Sequence, residues 1–419
     1  MATAIRTIPV EQLLPGMYVV DLHHSWFEHS LWRRHFSVDG TDIVDRLVRD
    51  GVTRVSIDIS RGIAPPAGLD PGVGAVLGAK SGTAPAADPA MDSVGDSATE
   101  RIQHHPVSLA EERRRAGRLL RESVVAVQDL MGRARCGRPL EPGRLEPYVR
   151  RMVVSVARHP DALVPLARLK GRDAYPAGHA VACAALMAAF TRQQGAGERE
   201  AEALVFGALV KDIGQAPLDS RLQARNGPLT GQGRALVQAH VEKGLAFLEV
   251  AGPLPGGAGA VVLEHHERHD GSGYPFGRRG EAISRAGGMA AIADTYDAMT
   301  SDRPYRRAMA PVTALRQLYQ EEGRRFHPEL VAAFVHTVGV YPVGSLVRLE
   351  SGHLGVVQEN RPDDLLNPVV KIIFDADERR YVTPVQVDLA RRHANAFGAI
   401  VRAESFETWG LSSLRWQPA

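Results

Sequence analysis

Cysteine is nearly missing from this chain, with only Cys136 and Cys183 in 419 residues. Two thiols so far apart in sequence exclude a disulfide framework, and neither belongs to a metal-type cysteine pair, so both read as small buried hydrophobes. No window approaches the roughly 18 uninterrupted apolar residues of a membrane span, and the N-terminus lacks a basic-then-apolar signal pattern. The expectation is a cytoplasmic protein without a membrane span. The net charge is only +2. With no basic stripe interleaved with aromatics, nucleic acid is not an expected partner. A hydrophobic content of 44% over this length fits a globular protein of two or three domains.

Composition changes along the chain mark those domains. Residues 1–60 alternate β-rich runs (Met17 to Val20, Val52 to Ile57) with one helical stretch, Ile43 to Val48, and read as a small α+β module. Its histidines and aromatics (His23, His24, Trp26, Phe27, His29, Trp32, His35) show no metal-type spacing and read as packing and surface residues. Residues 61–107 are rich in Pro, Gly, Ala, Ser and Asp and read as a flexible linker. Ser108-Leu109-Ala110-Glu111 has the form of a capping box. It opens a mainly helical region, 108–340, followed by short β-type runs over 341–398 and a C-terminal tail, 399–419. The fold class is therefore mainly α, a helical bundle with small β-containing modules at either end.

The densest chemistry lies in Glu264-His265-His266-Glu267-Arg268-His269-Asp270, which runs into Gly271-Ser272-Gly273-Tyr274-Pro275. The apolar run Val261-Val262-Leu263 just before it places the histidines near a helix end, where adjacent side chains flank one ion. Four more polar residues fall on apolar helix faces. His179 aligns with Cys183, Leu186 and Phe190, Asp212 with Leu204 and Ala208, and His240 with Leu236, Gly244 and Phe247, while Asp294 follows the run Met289 to Ala293. A buried ionised carboxylate is costly unless paired or metal-bound, so these groups are expected to converge. Imidazole and carboxylate ligands suit iron, manganese or zinc, and an aspartate bridging two such ions activates water for attack on a phosphodiester.

Taken in order, Leu209-Val210-Lys211-Asp212-Ile213-Gly214, His240, His265 through Pro275, and Ala293-Asp294 through Arg306 resemble the HD-GYP domain, a branch of the HD phosphohydrolases. The resemblance implies an all-helical bundle that hydrolyses the bacterial messenger cyclic di-GMP. It implies one divalent transition metal on Asp212, His240, His265 and His266, and a second to which His179, Asp212 and Asp294 contribute. Arg303 and Arg306 fall where that family contacts substrate phosphate, a role that suits a forked, permanently charged guanidinium. Gly271, Gly273, Tyr274 and Pro275 form the signature loop, a substrate lip or a contact for a GGDEF-type or other signalling protein.

Three positions depart from the family pattern. Lys211 stands where histidine is expected, Gln215 where lysine is expected, and Tyr175 where a three-metal member carries glutamate. An ammonium does not ligate a cation and adds positive charge where the second metal would sit. One reading is an enzyme that activates water at Asp212 on one good metal and one weak one, or on a single metal with Lys211 standing in for the missing charge, and cleaves cyclic di-GMP slowly because the second site is damaged. The other is a module that binds the nucleotide or a partner without turnover. A phosphohydrolase for another nucleotide is disfavoured by the Gly-Tyr-Pro stretch.

Overall fold

A computed structural model describes residues 5–23, 36–49, 51–63, 107–168, 175–218, 231–302, 307–391 and 396–416. The expected linker falls almost wholly outside these residues, as do His24 to His35, Arg303 and Arg306. The described residues form two compact units, one of 5–63 and one of 107–416.

In the first unit β1 (Ile5–Pro9), β2 (Tyr18–Asp21), β3 (Phe36–Ser37) and β4 (Arg54–Asp58) form an antiparallel sheet of order β1-β4-β2-β3. Helix α1 (Thr41–Arg49) completes it. Val10, Met17, Val19, Leu47, Val55 and Ile57 are its buried centre. The two outer strands, β1 and β3, are too short or too polar to read from the sequence pattern.

The second unit begins with α2 (Leu109–Arg135), whose N-cap Ser108 accepts the Glu111 amide at 3.2 Å. The reciprocal half of the capping box is not made, because the Glu111 carboxylate instead pairs with Arg114 and Arg115. There follow α3 (Glu146–Arg158), α4 (Pro160–Ala167), α5 (Tyr175–Gln193), α6 (Glu198–Val210), α7 (Gly231–Gln238), α8 (His240–Ala251), α9 (Ala258–Glu264), α10 (Arg285–Thr300), α11 (Pro311–Gln320) and α12 (Pro328–Val338). Helices α5, α6 and α10 are apolar on nearly every side and form the bundle's interior. Phe190, Tyr296 and Phe334 pack edge to face at their centre, with ring centroids 5.1 and 5.3 Å apart. These same three interior helices carry or precede most of the polar residues singled out above.

Strands β5 (Leu346–Leu349), β6 (His353–Glu359), β7 (Val369–Asp375), β8 (Arg380–Asp388) and β9 (Ile400–Glu404) form an antiparallel sheet of order β8-β7-β6-β5-β9. One face, with Val347, Val357, Val370 and Ile372, joins the helical core. Leu346, Leu354, Val356 and Ile373 face the other way, under Leu411 and Trp416 of the segment that ends in α13 (Ser413–Trp416). The expected tail 399–419 is thus corrected: its first residues pair with β5 as an edge strand, and its aromatic end closes a small second core. Cys136 is also corrected, since it caps α2 and is exposed, whereas Cys183 is buried.

Candidate metal centre

The chain folds so that helix ends, rather than helix middles, deliver most of the polar side chains. Helix α6 stops at Val210, so Lys211 is its C-cap and Asp212 opens the short turn Ile213–Gln215, past the helical register expected with Leu204 and Ala208. His240 is the first residue of α8, separated from α7 at Ala239, which leaves Leu236 47% exposed instead of sharing its face. His265 caps α9 and His266 follows it. Glycine makes the meeting of these ends possible: a Cβ on Gly214 would lie 2.0 Å from the His240 carbonyl oxygen, so only a bare backbone lets the Asp212 turn reach α8.

One ligand atom from each of Asp212, His240, His265 and His266 lies within 4.8 Å of all the others. Opposite ligands of an ion bound at about 2.1 Å are about 4.2 Å apart, so this spacing suits one ion. Both histidines are aimed by backbone carbonyls. The Nδ1–H groups of His240 and His265 donate to Val237 and Val262 at 2.6 and 2.9 Å, which leaves the Nε2 lone pairs facing inward. Those Nε2 atoms lie 3.5 and 3.6 Å from Asp212 Oδ1, too far to bond it, and are buried without a hydrogen-bond partner among the described residues. Two orphaned imidazole nitrogens beside a carboxylate are what a divalent transition cation would satisfy. His266 stacks on Tyr274, with ring centroids 4.5 Å apart.

Burial pushes His265 and His266 below the usual histidine range, with the Lys211 charge and the neighbouring imidazole adding to it, so both rings stay neutral as ligands must. The sign for stability follows. With metal absent, a depressed histidine pKa contributes stability that is present above the unfolded value of about 6.5 and lost as pH falls through the folded one. The metal-free protein is expected to lose thermal stability from about pH 6.5 downward, measured as Tm against pH, and loading with manganese should raise Tm and steepen that dependence, because protons then compete with the ion for the same imidazoles.

The ligands expected for a second ion meet a side chain instead. Lys211, 1% exposed, places Nζ 2.6 Å from Asp294 Oδ1 and 3.3 Å from His179 Nε2, and donates to Asp212 Oδ2 as well. Burial alone would drive this ammonium toward neutrality, but the carboxylates of Asp212 and Asp294 outweigh it and hold its pKa well above the lysine norm. Asp212 therefore turns one oxygen to Lys211 and the other to the imidazole cluster, where Gln215 Nε2 also donates to it at 2.7 Å. His179 is fixed from both sides, donating to Asp294 at 2.9 Å and to Asp297 at 2.6 Å, with Cys183 sulfur 3.7 Å from its ring.

The signature loop is held from behind. Glu267, 1% exposed, accepts the amides of Phe276 at 2.8 Å and Arg278 at 3.0 Å, while Glu264 takes the Arg278 guanidinium and the Ser284 amide. Arg268 braces the carbonyls of His265 and Glu267. Gly273 must be glycine, since a Cβ there would lie 2.4 Å from the Arg268 nitrogen. Tyr274 lies half-buried over His266, Pro275 beside it is also half-buried, and Phe276 is 51% exposed at the loop tip. Glu267→Gln removes one acceptor and turns an amide N–H toward a donor, at about 1–3 kcal/mol. It is expected to raise KM and leave bound metal unchanged, as steady-state kinetics with metal analysis would read.

The structure thus brings Asp212, Lys211, His240, His265, His266, His179 and Asp294 together, with Gly273, Tyr274 and Pro275 beside them. Arg303 and Arg306 lie outside the described residues. Sequence reasoning assigned no role to Asp297, Gln215 or Glu267. Asp297 was legible in principle, one helical turn past Asp294 on the same face.

Residues 5–145 match a domain of unknown function, DUF3391, and residues 155–330 match the HD domain. The chain is 37% identical over 411 residues to a cyclic di-GMP phosphodiesterase of Pseudomonas aeruginosa, covering 98% of this chain and 94% of that one. It is 35% identical over 144 residues to a cyclic di-GMP phosphodiesterase response regulator of Xanthomonas campestris (34% and 38% of the two chains). A cyclic di-GMP phosphodiesterase of Thermotoga maritima is 34% identical over 131 residues (31% and 36%).

Proposed function

Because the chain belongs to the HD-GYP-type cyclic di-GMP phosphodiesterases, a family of metal-dependent HD-domain hydrolases, we propose that it hydrolyses cyclic di-GMP at a centre holding one transition ion, with the Lys211 ammonium in the place of a second. The observation that carries this reading is the asymmetry of Asp212, whose two oxygens face an imidazole cluster on one side and a buried lysine on the other.

Iron, manganese or zinc held by Asp212, His240, His265 and His266 would supply Lewis acidity and a water able to attack phosphorus at neutral pH. The remaining work falls to the chain. His240 and His265 keep their Nε2 lone pairs inward through their carbonyl bonds. Lys211 does not reach solvent, so it acts through Asp212 and Asp294, cancelling charge that would otherwise repel the substrate phosphates. Tyr274 and the signature loop border the cluster and limit where the dinucleotide can lie. Arg303 and Arg306 are assigned to the phosphates by their positions in the motif. The exposed Phe276 at the loop tip supports docking of a GGDEF-type signalling protein there. No helix among the described residues is long and apolar enough to cross a membrane. A messenger substrate supports a cytoplasmic location.

Turnover tests this reading. Purified protein loaded with manganese or iron is expected to open one phosphodiester of cyclic di-GMP, adding water across a P–O bond. Intact cyclic di-GMP with binding retained would instead make the chain a sensor.

A further inference from the structure

The outer face of the C-terminal sheet carries chemistry that the metal centre does not use. Tyr381, on the edge strand β8, is 48% exposed and has the Arg415 guanidinium 5.5 Å from its ring centroid. Trp409 has Arg379 at 5.8 Å. Between the two rings lies Phe374, buried, with centroids 5.4 Å from Tyr381 and 6.0 Å from Trp409. The face therefore offers two stations, each a ring with a guanidinium beside it.

The charges around these stations are unusual for this sheet. Arg348, Arg380 and Arg402 are each paired with a carboxylate, Asp377, Glu378 and Glu404. Arg379 and Arg415 are exposed, and among the described residues no carboxylate pairs with either. Arg379 also sits in the left-handed backbone region, at φ 51°, where a long side chain is uncommon. Two unneutralised guanidiniums beside aromatic rings complement a ligand with two bases and two phosphates, since rings stack bases and guanidiniums take phosphate.

We infer that this face is a second binding site, for a guanine dinucleotide, through which substrate or its linear product acts back on the enzyme. The inference rests on cyclic di-GMP being the substrate of the helical centre. A site of this kind reads ligand concentration without consuming it.

Equilibrium dialysis of the full chain carrying His265→Ala, which keeps ligand intact, tests it with cyclic di-GMP, linear pGpG, GMP and a single-stranded RNA. The helical centre keeps Tyr274, Arg303 and Arg306 in this variant, so two dinucleotides per chain are expected, and Arg415→Ala and Arg379→Ala are each expected to weaken one of them about 10-fold, the size of a lost stacking or phosphate contact. GMP, filling one station, should bind at least about 10-fold more weakly. A preference for the cyclic or the linear form identifies substrate sensing or product feedback. One dinucleotide per chain, or two whose affinities both ignore the arginines, overturns the inference, as does tight RNA binding without a second dinucleotide. Both arginines lie on the surface, so folding is not at stake. Arginine-dependent binding, together with cyclic di-GMP left intact by the unaltered, manganese-loaded chain, would sink the proposed function while leaving the second site standing.

Discussion

His265→Ala is expected to release the bound ion and lower turnover of cyclic di-GMP by about 10²–10³-fold, the order seen when a principal charge-stabilising group is lost. The reasoning is geometric. His265 is 0% exposed, its Nδ1 is committed to Val262, and its Nε2 has no hydrogen-bond partner among the described residues. Alanine removes one of four ligand atoms and leaves a cavity that water fills. The fold should survive, because the interior packing of α5, α6 and α10 does not depend on that ring. Metal analysis and kinetics on the same sample would show both losses together. Full activity with bound ion retained would remove the cluster from the chemistry.

Lys211→His is expected to act in the opposite direction. Deleting the ammonium leaves Asp212 and Asp294 facing His179 without their cation, three groups from which a second ion can be built with the new imidazole. The variant should bind two ions per chain and turn over at least about 10-fold faster, since a second Lewis acid contributes several kcal/mol of charge stabilisation. Its metal-free form should be less stable than the parent by about 3–5 kcal/mol, the cost of stranding buried charge, and metal should restore that loss. Denaturant unfolding with and without manganese would read it. A variant with one ion and unchanged rate would mean that Lys211 is not the reason for a single-ion centre.

The residues of the candidate metal centre are legible because burying histidine and aspartate on apolar faces has few solutions, and convergence is the cheapest. His179, Asp212, His240, His265, His266 and Asp294 all converge for that reason. What periodicity misjudged was where helices end. Asp212 and His240 look helical in register, yet each sits at a break whose closeness depends on Gly214. The lysine's position was harder still. Sequence places a cation beside Asp212 but does not say that its chain bends inward to touch Asp294, 83 residues on. The strand after residue 399 was missed because its pattern, half-exposed on an edge, carries no strong alternation.

Metal content per chain in turnover-competent, manganese-loaded protein tests the central claim most directly. One ion per chain alongside hydrolysis of cyclic di-GMP is the predicted result. Two ions per chain in the unaltered protein would contradict it, because Lys211 would then have to leave the carboxylates it now bridges.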